Sequence, residues 1–152
     1  MIEKCGYIDI MSQVIEGLLT TVACVPGVQA IAFYGHPPTD GNDLDLLIVS
    51  DDQARDNLND KLQIISDQFN LTIDAWILSL DVLKKRMKRI AGMKSDNPPI
   101  LSDVSTWTNF AFLPILNKGL VTDTIRECYE HPETGGPIPP SDNEKRVFVP
   151  SN

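Results

Sequence analysis

The chain has 152 residues, of which 42% are hydrophobic and 22% are charged. That length suits one domain with a core of its own, and the composition excludes wholesale disorder. The formal net charge of −8 argues against general nucleic-acid binding, which needs clustered Lys and Arg to contact phosphates. No apolar run reaches the roughly 18–20 residues of a membrane helix. We therefore expect neither nucleic acid nor a membrane as a partner.

The cysteines and the first residues indicate the compartment. Cys5, Cys24 and Cys128 are odd in number and have no Cys-x-x-Cys spacing. That pattern favours reduced thiols over a disulfide framework or a zinc site. Residues 1–5 lack the basic segment and following apolar stretch of a secretory signal. We expect a cytoplasmic protein.

Hydrophobic periodicity predicts helices and strands in alternation over the first part of the chain. The predicted elements are, in order, a helix over 8–24, a strand over 28–34, a strand over 43–49, a helix over 53–69, a strand over 71–78 and a helix from 80 that ends near Gly92. In the third strand, Ile73 and Ala75 face one way, while Asp74 and Trp76 face the other.

The pattern weakens after this fourth helix. Three segments are predicted there: a helix within 104–116 as far as Pro114, a short helix over 122–129, and a Pro- and Gly-rich tail with little secondary structure from His131 onward. We therefore divide the chain into a domain over 1–130 and a tail over 131–152. The order of elements predicts an α/β or α+β fold, with a small mixed β-sheet and flanking helices.

Three aspartates in apolar strands are the sharpest chemical feature of the sequence. Asp43 and Asp45 leave the same face of a strand, with Cα atoms roughly 6.5–7 Å apart at a rise of about 3.3 Å per residue. Asp74 interrupts the next apolar strand. Unpaired carboxylates are costly near a core, so a cation is expected between them. Mg²⁺ prefers oxygen ligands, and three converging carboxylates suit a two-metal phosphoryl-transfer site. The alternative is that these aspartates face solvent or cap a helix.

Two other features admit two interpretations each. The basic run over 84–89 lies opposite the apolar stripe of a predicted helix. Such a run is typical of a solvated helix face, but it could also contact a phosphate tail or an acidic partner. Trp76 shares the strand face of Asp74, where it could stack on a base, although filling the core is the expected role. The sequence contains no P-loop, no Gly-x-Gly-x-x-Gly and no zinc spacing.

A strand that ends in Gly35, a turn, an Asp43-x-Asp45 pair in the next strand and Asp74 one strand later form a connected pattern. This pattern resembles the nucleotidyltransferase superfamily with the DNA polymerase beta-like fold, and most of all its small single-domain members, the minimal nucleotidyltransferases. The likeness extends over about 14–90. By this resemblance Asp43 and Asp45 correspond to the metal-binding pair, and Asp74 corresponds to the third carboxylate.

The resemblance implies an activity: transfer of a nucleoside monophosphate from a nucleoside triphosphate, with ATP favoured, and release of pyrophosphate. It implies that Asp43 and Asp45 bind two Mg²⁺ ions, and that Asp74 binds the second ion or acts as base toward the acceptor hydroxyl. Gly35 and His36 would contact the triphosphate. In small members of the family the acceptor is a protein hydroxyl, as in antitoxins that modify a partner toxin, an aminoglycoside hydroxyl or an RNA end. The net charge of −8 disfavours the RNA end.

One departure from the family pattern supports a second hypothesis. Where the family has Gly-Ser, this chain has Gly35-His36, followed by Pro37 and Pro38. Proline has no N–H to offer a phosphate, although the imidazole of His36 can donate a hydrogen bond. The alternative to an enzyme is therefore a non-catalytic nucleotidyltransferase-like module with a degenerate phosphate loop, which binds or regulates a partner.

Overall fold

The structure is a computed structural model that describes residues 2–35, 43–93, 98–102, 104 and 111–151. The helices are α1 (Ile2–Thr20), α2 (Asp52–Arg55), α3 (Leu58–Phe69), α4 (Leu80–Met93) and α5 (Lys118–Glu130), and a 3-10 helix over Val22–Cys24 follows α1. The strands are β1 (Val28–Gly35), β2 (Leu44–Ser50), β3 (Ile73–Leu78), β4 (Ala111–Leu116) and β5 (Glu144–Val149). Across these ranges, no helix is both long enough and apolar enough to cross a bilayer.

The five strands form one mixed sheet in the order β4-β1-β2-β3-β5. Strands β2 and β3 are parallel, and the other neighbours are antiparallel. A parallel pair needs a crossover connection, which α2 and α3 supply here. Helices lie on both faces of the sheet. The predicted fold class, a mixed sheet with flanking helices, is confirmed.

Two apolar clusters cover the two faces of the sheet. On one face, called the α1/α3 face, the strands contribute Phe33, Leu44, Leu46, Ile48, Ile73, Ala75 and Ile77, and the helices contribute Met11, Val14, Leu18, Leu58, Leu62 and Ile65. On the other, called the α4/α5 face, Leu47, Val49, Trp76 and Leu78 pack with Leu83, Met87, Val121 and Ile125. The predicted alternation of β3 is therefore confirmed, and it places Asp74 on the α4/α5 face.

Two predicted helices differ from the structure in more than their ends. The helix over 53–69 is divided into α2 and α3, and the carboxylate of Asp51 caps α2 by accepting from the Ala54 N–H at 3.0 Å. The predicted helix within 104–116 is wrong over its last part, where β4 pairs with β1. Pro114 is tolerated there because β4 is an edge strand, in which a backbone N–H can be missing. Residues 105–110 lie outside the described part of the chain.

The prediction of little secondary structure after His131 is wrong at the end of the chain. Strand β5 pairs antiparallel with β3, from Glu144 opposite Leu78 to Val149 opposite Ile73. Its Val147 and Val149 join the core of the α1/α3 face. Burial of alternate residues along a free strand edge therefore overrides the Pro- and Gly-rich composition of the preceding segment.

Arg86 of α4 holds the segment that leads into β5. Its Nε and Nη2 donate to the carboxylate of Glu144 at 2.8 and 3.2 Å. The same guanidinium donates to the carbonyl oxygens of Ile138 at 2.6 Å and Pro139 at 3.1 Å. Arg89, one turn later, donates to the Gly136 carbonyl at 2.8 Å. These two arginines of the basic run thus bind the C-terminal segment of the same chain. The acidic partner of Arg86 is Glu144 of that segment.

We expect Arg86→Ala to lower the free energy of unfolding by about 3–5 kcal/mol, because Glu144 would keep a largely buried charge without its partner. The two side chains are only 18% and 15% exposed. Lys85→Ala, on the exposed side of the same helix, should change stability by less than about 0.5 kcal/mol. Urea unfolding of both variants measures the difference, and equal values would contradict the anchoring role of Arg86.

Gly92 lies where α4 meets the backbone of Glu133. A Cβ at this position would overlap the Glu133 carbonyl oxygen, so Gly92→Ala should lower the melting temperature despite the better helix propensity of alanine. Gly119 is the matched control, since it is also helical and has open space around it. Gly119→Ala should be neutral or stabilise by up to about 1 kcal/mol. Opposite signs in thermal unfolding are the expected result, and a stabilising Gly92→Ala would refute the close approach.

Candidate functional site

Two of the three predicted carboxylates lie side by side on the α4/α5 face. Asp45 of β2 and Asp74 of β3 are register partners in the parallel pair. Both side chains point to the face of the sheet opposite that of Leu46, which is buried in the cluster of the α1/α3 face. Both are half-buried. Because neighbouring strands lie about 4.8 Å apart, the two aspartates are immediate neighbours on the sheet, as the sequence predicted if their strands were adjacent.

The other predicted site residues flank this pair. Asp43 is half-buried and directly precedes β2. Gly35 ends β1 with a φ of +78°, in the left-handed region that favours glycine. His36 lies outside the described residues. Within the described ranges, no three His, Cys, Asp or Glu side chains form a group that could hold a metal ion. A site built from all three aspartates therefore stays a prediction.

Tyr34, which sequence reasoning did not single out, lies next to Asp45 on the same face. Phe33 pairs with Leu46, so the following residue of β1 comes beside Asp45. Burial raises the pKa of the Tyr34 phenol above its ordinary value of 10.0, against the opposing charge of Arg146. The negative charges of Asp74 and Asp45 raise this pKa further. The phenol thus responds to the charge of the two carboxylates.

Strand β5 brings Arg146 to the same site. Arg146 pairs with Trp76 across the sheet, and its guanidinium carbon lies 4.9 Å from the centroid of the Trp76 ring. Its Nη1 donates to the Tyr34 hydroxyl at 2.8 Å. The rings of Tyr34 and Trp76 meet edge to face, with centroids 6.2 Å apart. Arg146 is therefore fixed by a cation–π contact and a hydrogen bond, near two carboxylates.

Trp76 has the expected core role, since it is 7% exposed and packs within the cluster of the α4/α5 face. Its ring additionally supports Arg146. Phe148 pairs with Asp74 and is 61% exposed. Neither Arg146 nor Phe148 was predicted as a site residue, because both belong to the segment interpreted as a tail. The alternation of Val147 and Val149 with these two residues was the one available signal for a strand.

The carboxylates of this site can supply only part of the coordination shell of a Mg²⁺ ion. Mg²⁺ binds through oxygen ligands, and it often uses one or two carboxylates together with substrate phosphates. Asp45 and Asp74 supply two adjacent carboxylates on a partly exposed surface. Such a pair suits an ion whose other ligands come from water and a phosphate-bearing substrate. It does not enclose an ion by itself.

Comparisons of this chain with protein-family models, with curated proteins and with solved structures find no match. The chemistry of the residues at the site is therefore the basis for a functional proposal. That chemistry consists of two neighbouring carboxylates, a fixed guanidinium, a half-buried phenol and an exposed aromatic ring.

The Tyr34 phenol reports on the charges of the site. Asp74→Asn should lower the pKa of Tyr34, because a negative charge that disfavours the phenolate is removed. Arg146→Gln should raise it, because the favourable positive charge is lost. Ultraviolet absorbance of the phenolate against pH, corrected with Tyr34→Phe, measures both shifts. Identical titrations in wild type and both variants would refute the arrangement of charges around Tyr34.

The same raised pKa has a consequence for stability. The pKa of Tyr34 is higher in the folded protein than in the unfolded chain, where it is about 10. Its contribution to stability is therefore complete below about pH 10. That contribution is lost as the pH rises through the pKa of the folded protein. The wild-type protein should therefore lose stability above about pH 10 more steeply than Tyr34→Phe. Denaturant unfolding at stepped alkaline pH provides the comparison, and parallel curves would contradict it.

Proposed function

We propose that the chain is a Mg²⁺-dependent nucleotidyltransferase, which moves a nucleoside monophosphate from a nucleoside triphosphate to the hydroxyl of an acceptor. The observation that carries this proposal is the register pairing of Asp45 with Asp74 on one face of the sheet. Paired carboxylates beside the end of a strand that finishes in Gly35 are consistent with the resemblance to minimal nucleotidyltransferases.

In this mechanism, Asp43 and Asp45 would hold the metal, and Asp74, the register partner of Asp45 on β3, is the third carboxylate. Mg²⁺ bound there would neutralise charge on the triphosphate and align it. The hydroxyl oxygen of the acceptor forms a bond to the α-phosphorus, and the bond from the α-phosphorus to the bridging oxygen of the β-phosphate breaks. Pyrophosphate leaves with that electron pair. Asp74 has either of two roles: it is the base that takes the proton of the acceptor hydroxyl, or it is a metal ligand and water takes that proton.

The substrates and the setting are part of the proposal. ATP is the favoured donor, and the acceptor is a protein or small-molecule hydroxyl, with a partner toxin as one such protein. A binding site for two Mg²⁺ ions requires all three aspartates. A cytoplasmic setting is consistent with the two free cysteines, Cys24 and Cys128, within the described residues.

A second candidate function is a non-catalytic binding or regulatory module. One feature of the sequence favours it: Pro37 and Pro38 follow Gly35-His36, and proline offers no N–H to a phosphate. In this alternative, the same carboxylates and Arg146 bind a Mg-nucleotide or a partner, and no bond is broken. Binding and transfer must therefore be measured separately.

We expect Mg-ATP to raise the melting temperature far more than Mg²⁺ alone, because two carboxylates leave several metal positions to be filled by phosphate oxygens. In calorimetry, Asp45→Asn and Asp74→Asn should each raise the dissociation constant for Mg-ATP by about 10- to 150-fold, which corresponds to roughly 1.5–3 kcal/mol for a charged contact. Asp60→Asn removes the same charge from an exposed position on α3 and should leave binding unchanged.

Transfer is tested by incubating the protein with Mg-ATP and candidate acceptors, with mass spectrometry of the acceptor and assay of pyrophosphate. An acceptor that gains one nucleoside monophosphate, with stoichiometric pyrophosphate and loss of both in Asp45→Asn, supports the enzyme. Binding without transfer to any acceptor favours the regulatory module. Absence of binding for every Mg-nucleotide at millimolar concentration would refute the enzyme and favour a module that binds a partner.

A further inference from the structure

Phe148 is an exposed aromatic residue in an unusual place. It is 61% exposed, whereas its neighbours Val147 and Val149 are buried in the core of the α1/α3 face. Phe148 therefore points to the α4/α5 face, which carries the two carboxylates. In the register of β3 with β5, its direct partner is Asp74. The ring of Phe148 therefore lies beside the Asp74 carboxylate of the candidate site.

Phe148, Asp74 and Asp45 lie in one row across three neighbouring strands, a span that a nucleotide can bridge. Directly opposed residues of an antiparallel pair have Cβ atoms about 4.5–5.5 Å apart, so the ring of Phe148 begins one strand away from the Asp74 carboxylate. Asp45 lies one strand further, about 4.8 Å beyond. In a nucleotide, one ribose separates the base from the α-phosphate. A phosphate bound at Asp45 and Asp74 therefore leaves the base within reach of Phe148.

The neighbouring side chain on the strand leaves this ring accessible. Arg146, two residues earlier on the same face, is committed to the Tyr34 hydroxyl at 2.8 Å and to the Trp76 ring. Its guanidinium therefore reaches across the sheet from the row of Trp76 toward Tyr34, which lies beside Asp45, and Phe148 keeps 61% of its surface exposed. The flat face of Phe148 is a surface on which a planar ligand can stack.

We infer that Phe148 is the nucleobase platform of the site, against which the base of the bound nucleoside triphosphate stacks. This inference rests on the proposed function and specifies how the donor is held. Every base has a π-face, so stacking tolerates any base. Phe148 should therefore strengthen the binding of all four nucleoside triphosphates, while selectivity among bases comes from other groups.

The test compares Phe148→Ala with Phe148→Tyr in calorimetry against Mg-ATP and Mg-tripolyphosphate. Phe148→Ala should raise the dissociation constant for Mg-ATP by about 5- to 150-fold, the range that corresponds to stacking of one base. Phe148→Tyr should retain wild-type binding. Mg-tripolyphosphate has no base, so its affinity should be the same in all variants. Ile64→Ala is the matched control, since Ile64 is an exposed apolar residue of α3, and it should bind Mg-ATP like the wild type.

The possible results separate this inference from the proposed function. If the wild type binds Mg-ATP and Phe148→Ala binds it equally well, the platform is refuted and the proposed function stands. If the wild type binds no Mg-nucleotide, both are refuted. Equal losses for Mg-ATP and Mg-tripolyphosphate would mean that the substitution acts through the fold of β5, which overturns the platform. A wild-type dimer that Phe148→Ala converts to a monomer in sedimentation would assign the ring to a contact between two copies instead.

Discussion

The backbone pairing of β5 with β3 is the interaction on which the site depends. Without β5, strand β3 would be the edge of the sheet, and its outer N–H and C=O groups would lack strand partners. Pairing satisfies these groups and buries Val147 and Val149 on one face. By the alternation of side chains, it also brings Arg146 and Phe148 to the other face. One set of hydrogen bonds thus contributes to the core and completes the surface around Asp74.

The two carboxylates give the site its electrostatic character. Asp45 and Asp74 are register partners, so they place two carboxylates one strand spacing apart. Burial and these charges raise the pKa of Tyr34, and the charge of Arg146 acts in the opposite direction. A hydrogen bond to the phenol and contact with Trp76 determine the position of Arg146. A cation that arrives with phosphate oxygens would bind to these carboxylates and fill its coordination shell at the same time.

The hydrophobic periodicity of each segment predicted which of its residues share a face. Alternation in β3 correctly placed Asp74 and Trp76 on one face. The pairing of Asp45 with Asp74 additionally required β2 and β3 to be neighbours, which was only a condition of the sequence prediction. The contact of Arg146 with Tyr34 joins residues 112 positions apart, and no periodicity in a single sequence reports such a pairing. The strand at 144–149 was missed because it pairs with β3, which is distant in the sequence. The helix prediction near Pro114 failed because an apolar edge strand and a buried helix have similar composition.

The anchoring of β5 links the stability of the fold to the completeness of the site. Arg86 fixes the segment before β5 through Glu144 and two backbone carbonyls, and it does so from α4. The pairing of Asp45 with Asp74 belongs to the interior of the sheet and does not need this anchor. Local opening of an edge strand requires less free energy than global unfolding. Loosening of β5 would therefore remove Arg146 and Phe148 from the candidate site before it separated the two carboxylates, so the part of the surface that β5 supplies is less stable than the carboxylate pair beside it.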